Sequence, residues 1–233
     1  MKNLFFERVV FARGGFRLNA EGIFGPGIHL VSGRVGSGKS TFSLLAAGLI
    51  SPESGEIRRE ELSRTMLSMQ FPEYHITGIS IGDEIRSWGL EVPGILGNVR
   101  LNGRENDDIA TLSRGELKRL HLSCVLSTGA DLLILDEPFS SLDCSEKKSF
   151  SSAIAGYGSG IVIICTHEPL WLPDVDCIWE IQDGSLVCCG KTPEGITRWG
   201  SVPVHIRNLL AKGIVPENIS PRALLEARCR TRE

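Results

Sequence analysis

An α/β fold with a buried parallel sheet is predicted by three stretches. Gly27 to Val31 is a short apolar strand that enters a loop holding Gly33, Gly36 and Gly38, and an apolar helix follows from Lys39 to Leu49. Asp131-Leu132-Leu133-Ile134-Leu135 and Ile161-Val162-Ile163-Ile164-Cys165 are apolar runs of strand length, the texture of strands covered on both faces. At 233 residues the chain suffices for one large domain with a small appended subdomain.

Taken in order, residues 4–31 read as strands around turns at Ala12–Gly15 and at Gly22, Gly25, Pro26 and Gly27, an N-terminal antiparallel β element. Phe42 to Ala47 continue the first helix, which Gly48, Pro52 and Gly55 end. Glu56-Ile57-Arg58 and Thr65–Met69 are short strands, the second ending at Gln70. From Phe71 to Thr111 eight Gly and Pro residues interrupt short apolar pieces, so 71–111 reads as a small inserted helical subdomain with helices near Ile81–Leu90 and Ile95–Leu101. Ser113 stands three residues before Glu116 and ahead of the apolar-periodic run Leu117, Leu120, Leu122, Val125 and Leu126, a capping box with Ser113 as N-cap. Ser145–Ala155 is helical. Cys177–Ile181 and Ser185–Cys189 around Asp183-Gly184 predict an edge hairpin. A helical tail, 200–233, carries pieces at Val204–Leu210 and Pro221–Arg230.

Leu30-Val31-Ser32-Gly33-Arg34-Val35-Gly36-Ser37-Gly38-Lys39-Ser40-Thr41 is the G-x-x-x-x-G-K-[ST] phosphate-binding loop in its strand–loop–helix setting, which makes the fold a P-loop NTPase with a mixed central sheet. Glycines let successive N–H groups point at a polyphosphate, the helix N-terminus faces it, and Lys39 adds a mobile charge. Ser40 offers a hydroxyl to Mg²⁺. The strand 131–135 delivers Asp136-Glu137: Asp136 is placed to hold Mg²⁺ through water, and Glu137 to polarise an attacking water as general base.

Composition bounds the rest. A net charge of -3 with 23% charged residues gives no global basic field, so no nucleic-acid partner is expected. The C-terminal Arg222, Arg228, Arg230 and Arg232 would favour an RNA or protein partner only if they formed one face with other basic residues. Seven cysteines lack a paired spacing; Cys124 and Cys165 sit in apolar runs as small core residues of a reducing compartment. The N-terminus is charged too early for a signal peptide. No apolar run approaches the ~18 residues of a membrane span, so any membrane role is expected to come through a partner.

With these residues in view, the sequence resembles the nucleotide-binding subunits of ATP-binding cassette (ABC) proteins. The usual Leu-Ser-Gly-Gly-Gln signature stands as Leu112-Ser113-Arg114-Gly115-Glu116, the D-loop as Ser141-Leu142-Asp143, the Q-loop glutamine as Gln70 and the switch histidine as His167. The resemblance covers about 4–195 and implies ATP and Mg²⁺ as ligands, held by Gly33–Thr41. It also implies a second ABC subunit, in a homo- or heterodimer, whose Ser113, Gly115 and Glu116 would close over the γ-phosphate while Asp143 crosses the interface. Gln70 would be a Mg²⁺ ligand and γ-phosphate sensor, and His167 would orient water. Arg114 replaces the first signature glycine. Arg13 occupies the place of the adenine-stacking aromatic, with Phe11 and Phe16 as substitutes.

Gln70-Phe71-Pro72-Glu73-Tyr74-His75, followed by Ile79 to Ile85, is similar to the Gln-Phe-Pro-Glu-x-Gln stretch of energy-coupling-factor ATPases, which drive vitamin or cobalt and nickel uptake; His75 replaces the second glutamine. This implies a Mg-dependent ATPase, peripheral at the cytoplasmic face of the membrane, that powers uptake through an integral membrane subunit. The 42 residues between Gln70 and Ser113 are fewer than transport cassettes usually carry. A soluble ABC ATPase acting on nucleic acid or protein is the alternative, although no coiled-coil insertion or second cassette accompanies it.

Overall fold

The structure, a computed structural model, describes residues 1–158 and 160–229; Arg230 and Arg232 of the basic run, with the end of the tail, lie outside the described residues. Among the described residues nine strands form a mixed sheet: β1 (Asn3–Arg13), β2 (Phe16–Phe24), β3 (Gly27–Ser32), β4 (Ser54–Glu60), β5 (Thr65–Ser68), β6 (Leu132–Asp136), β7 (Ile161–Thr166), β8 (Cys177–Gln182) and β9 (Ser185–Lys191). Their order is β4-β1-β2-β9-β8-β3-β7-β6-β5. β3 pairs in parallel with β7 and β8, and β6 with β7. β1 runs antiparallel to β2 and β4.

The fold class is the predicted one, with two corrections. The hairpin β8–β9 is not at an edge: β8 pairs with β3 on one side, and β9 bridges β2 at Asn19–Ser185 on the other. Its first strand is buried along five residues, Cys177 to Ile181, which suits an interior place. Gly22 is not a turn residue but lies within β2, where a Cβ would come 2.6 Å from the Trp179 ring. That ring stacks on Phe24 at 4.3 Å, and Phe24, Phe6 and Phe42 fill the core around it.

The chain divides into two compact units. The first comprises Met1–Leu67, Ala130–Glu137 and Gly158–Glu233, and carries the sheet with α1 (Lys39–Ala47). The second comprises Ser68–Gly129 and Pro138–Tyr157, and carries α2 (Ile81–Ser87), α3 (Val92–Val99), α4 (Arg114–Ser127) and α5 (Cys144–Ala155). The last helices, α6 (Glu194–Arg198), α7 (Val204–Leu210) and α8 (Pro221–Cys229), belong to the first unit. The second has its own core of Ile81, Ile85, Ile95, Leu96, Leu117, Leu120 and neighbours. Cys124 and Cys165 are buried, as their apolar surroundings predict. Among the described residues no helix is long and apolar enough to cross a membrane.

Candidate functional site

In the first unit, parallel register gathers the chemistry at the carboxyl ends of β3, β6 and β7. Ser32 pairs with Thr166, and Asp136 with Cys165, so Gly33–Lys39, Asp136-Glu137 and Thr166-His167 share one sheet edge, the usual ligand edge of α/β sheets.

The loop is built for an anion. Gly36 and Gly38 have φ of 79° and 107°, a region that costs other residues about 1–2 kcal/mol. Gly38 is the N-cap of α1 and has no capping side chain, and the first helical bond runs from Phe42 N–H to Gly38 O, 2.8 Å. The N–H groups of the first turn therefore face outward for a phosphate. A Cβ on Gly38 would fall 2.5 Å from Cζ of Phe16, so that ring lies against the loop. A cavity of about 860 Å³ adjoins it, lined by Phe16, Arg17, Arg34, Val35, Gln182 and Arg207 among others. Arg13, at the end of β1, is exposed and pairs across the hairpin with Phe16.

Buried Lys39 folds back on its own loop, donating to the carbonyls of Gly33 (2.9 Å) and Arg34 (3.0 Å), with Nζ 3.9 Å from Oε1 of Glu137. Ser40 is exposed, and Asp136 is buried at the end of β6. Cys165, the register partner of Asp136, stays a thiol: burial, then the nearby Asp136 carboxylate, push its pKa up, and Ser43 donates a hydrogen bond to its sulfur.

Glu137 is clamped by donors. Thr166 Oγ1 donates to Oε2 at 2.7 Å, and the His167 N–H donates to Oε1 at 3.0 Å. His167 Nδ1 lies 2.6 Å from the same Oε1; a carboxylate only accepts, so the ring proton sits on Nδ1 and Nε2 is left as an acceptor in the neutral ring. Glu137 itself is held at φ 46°, strain of the kind found at functional positions. Loop donors, a buried carboxylate, a hydroxyl and a retractable cation together fit a magnesium nucleotide.

The second unit places the remaining predicted residues. Ser113 caps α4 in the predicted box: its Oγ accepts from Glu116 N–H (3.3 Å) and donates to Glu116 Oε2 (2.7 Å). These bonds from Ser113, with Arg104 beside them, hold the Glu116 carboxyl below the usual range. A Cβ on Gly115 would stand 3.4 Å from the Ser141 carbonyl, and Arg114, well exposed, reaches within 3.9 Å of Glu73. Asp143 caps α5 in a second box with Glu146, and that backbone hydrogen bond lowers its pKa. Gln70 is half-buried just past β5, its carbonyl accepting from Lys118 Nζ at 3.1 Å.

Sequence reasoning assigned no role to Thr166, Lys118 or His121. Thr166 had a signal, since it precedes the strand-end histidine. Lys118 and His121 had only their i, i+3 spacing on α4, which does not say whether that face is buried.

Residues 25–140 match the ABC transporter family. The energy-coupling factor transporter ATP-binding protein EcfA1 of Thermotoga maritima is 32% identical over 194 residues, covering 73% of this chain and 74% of that protein. The biotin transport ATP-binding protein BioM of Rhodobacter capsulatus is 30% identical over 191 residues, 72% and 81% of the two chains. Among solved structures, an ATP-binding subunit of an ABC transporter superposes with a TM-score of 0.74 at 16% identity, covering 90% of this chain and 98% of that one.

Proposed function

The chain belongs to the ABC transporter family and is an ATP-hydrolysing subunit, and from that premise we propose that it powers uptake of a vitamin or transition-metal ion through an integral membrane partner. It would do so from the cytoplasmic face of the membrane, as one half of a nucleotide-sandwich dimer. The observation that carries the catalytic part is the clamp on Glu137 by Thr166 and His167 beside Lys39. Two relatives named for energy-coupling-factor and biotin transport support the uptake part.

In this reading Gly33–Thr41 bind the phosphates, and Lys39 exchanges its two loop carbonyls for phosphate oxygens. The base stacks at Phe16, with Arg13 at the mouth of the hairpin. Ser40, Asp136 and Gln70 would hold Mg²⁺, which supplies Lewis-acid polarisation of the phosphates when bound. Glu137 takes the proton of the attacking water, and Thr166 and the His167 backbone fix its carboxylate. Ser113, Gly115 and Glu116 of a second subunit, with Asp143, complete the site. The segment 71–79, with Phe71, Tyr74 and Ile79 exposed, is the surface offered to the membrane partner.

Purification of the tagged chain from detergent-solubilised membranes tests this. An integral membrane subunit that co-purifies and raises ATP turnover is the expected result. Recovery with RNA or a soluble protein, and no membrane subunit, would overturn it.

A further inference from the structure

The root of the Q-loop, Ser68 to Gln70, is gripped one residue at a time by side chains of its own unit. Lys118 on α4 is 1% exposed, and its Nζ donates to the carbonyls of Gln70 (3.1 Å) and Met69 (3.4 Å). His75 Nε2 accepts from the Met69 N–H at 3.0 Å, and His121 Nε2 lies 3.1 Å from Ser68 Oγ. The two imidazoles stack at 4.5 Å, and Trp88 meets His121 edge-on at 5.5 Å. A lysine is almost never this buried unless its charge is answered. Here carbonyl oxygens of the segment that carries Gln70 answer part of it. Lys118 and His121 stand one turn apart on the helix that Ser113 caps, so from that helix Lys118 holds the carbonyls of Met69 and Gln70 while His121 holds the Ser68 hydroxyl.

We infer that Lys118 is a positioning residue for Gln70, backed by His121 and His75: it ties the backbone of the Q-loop to the signature helix, so that Gln70 follows that helix when it moves. The inference rests on the reading of Gln70 as a ligand in the ATPase site, and extends it to residues outside the family motifs quoted above. Two features support a tether rather than core filling. Both contacts go to main-chain carbonyls, those of the two successive peptide units on either side of the Gln70 Cα, which fixes the orientation of that residue's backbone and not merely its depth. Beside them a cavity of about 100 Å³, lined by Gln70, Glu73, Arg114 and Lys118 among others, leaves the glutamine room to swing. Burial, with the Lys118 ammonium nearby, lowers the pKa of both imidazoles, in keeping with the acceptor role of His75 toward the Met69 N–H.

Lys118→Met, Lys118→Arg, Gln70→Ala and Gln70→Ala/Lys118→Met in the full chain test the assignment, read by steady-state hydrolysis and, without nucleotide, by amide hydrogen exchange. Lys118→Met is expected to lower kcat about tenfold with KM for ATP within twofold, and to speed exchange across 69–71 about tenfold while β3 is unaffected. Lys118→Arg, which keeps donors, recovers at least half of kcat. The double variant is no slower than Gln70→Ala alone. A multiplicative loss in the double variant, or unchanged exchange at 69–71, overturns the tether; should Lys118→Met not fold, exchange and kcat of Lys118→Arg equal to those of Gln70→Ala do the same. Wild-type kcat in Gln70→Ala sinks the reading of Gln70 itself, whatever the exchange shows.

Discussion

Replacing Glu137 by glutamine changes one oxygen to a nitrogen in a clamp made of donors. The carboxylate accepts from Thr166 Oγ1 on one oxygen, and on the other from the His167 N–H with Nδ1 at 2.6 Å. An amide has one acceptor oxygen. Its least costly pose keeps that oxygen at His167 and turns the NH₂ toward Thr166, whose hydroxyl then accepts and loses its own acceptor. Thr166 Oγ1 already accepts from the Glu168 N–H at 3.0 Å, and a hydroxyl has two lone pairs, so the pose can be filled. Trading charge-assisted bonds for neutral ones costs about 1 kcal/mol apiece, so about 3 kcal/mol over the three contacts, a Tm lower by about 6–12 °C for a chain of this size. Turnover should fall much further, by about 10²–10⁴, the usual share of a general base. Binding of ATP should survive, because the substitution leaves Lys39 and the loop N–H groups that would meet the phosphates unchanged. Single-turnover phosphate release beside equilibrium ATP binding separates these effects. Hydrolysis within threefold of wild type at unchanged ATP affinity would refute the base assignment.

Lys39→Ala should abolish measurable ATP binding while leaving the fold intact, and an unchanged dissociation constant would count against the loop. Light scattering should find the nucleotide-free chain monomeric and Glu137→Gln dimeric with ATP, because the sandwich needs nucleotide charge at its centre; the same dimer without ATP would sink that expectation. Acid should destabilise the protein through His29 and His75, whose ring nitrogens accept from Trp179 Nε1–H and the Met69 N–H. Burial lowers both pKa values, so above about pH 6.5 both states are neutral and nothing changes. Below it only the unfolded chain takes the proton, and stability falls by up to about 1.4 kcal/mol per pH unit per histidine until the folded pKa is reached. Thermal scans from pH 7.5 to 5.5 should show this loss, and His75→Gln should reduce it; a Tm that does not move with pH refutes the account.

Much of this molecule is local, and local features were readable from the chain. The phosphate loop, the capping box of Ser113 and Glu116, and the apolar strands before Asp136 and His167 are each set by residues within a few positions of one another, where backbone sterics and cap hydrogen bonds decide. The box of Asp143 and Glu146 obeys the same rule and was equally legible, though only the structure drew attention to it. What the tertiary structure alone decided involves partners far apart in sequence. The hairpin 177–191 looks like an edge from its own residues, because nothing in it records that β3 and β2 will pair on either side. Trp179 explains Gly22 only once the two strands lie in one sheet. Thr166 and His167 become the clamp on Glu137 because β6 and β7 run in parallel register, and Lys118 becomes a hold on Gln70 because its side of α4 turns inward. Helical spacing states which residues share a face; burial against a distant segment determines what that face does.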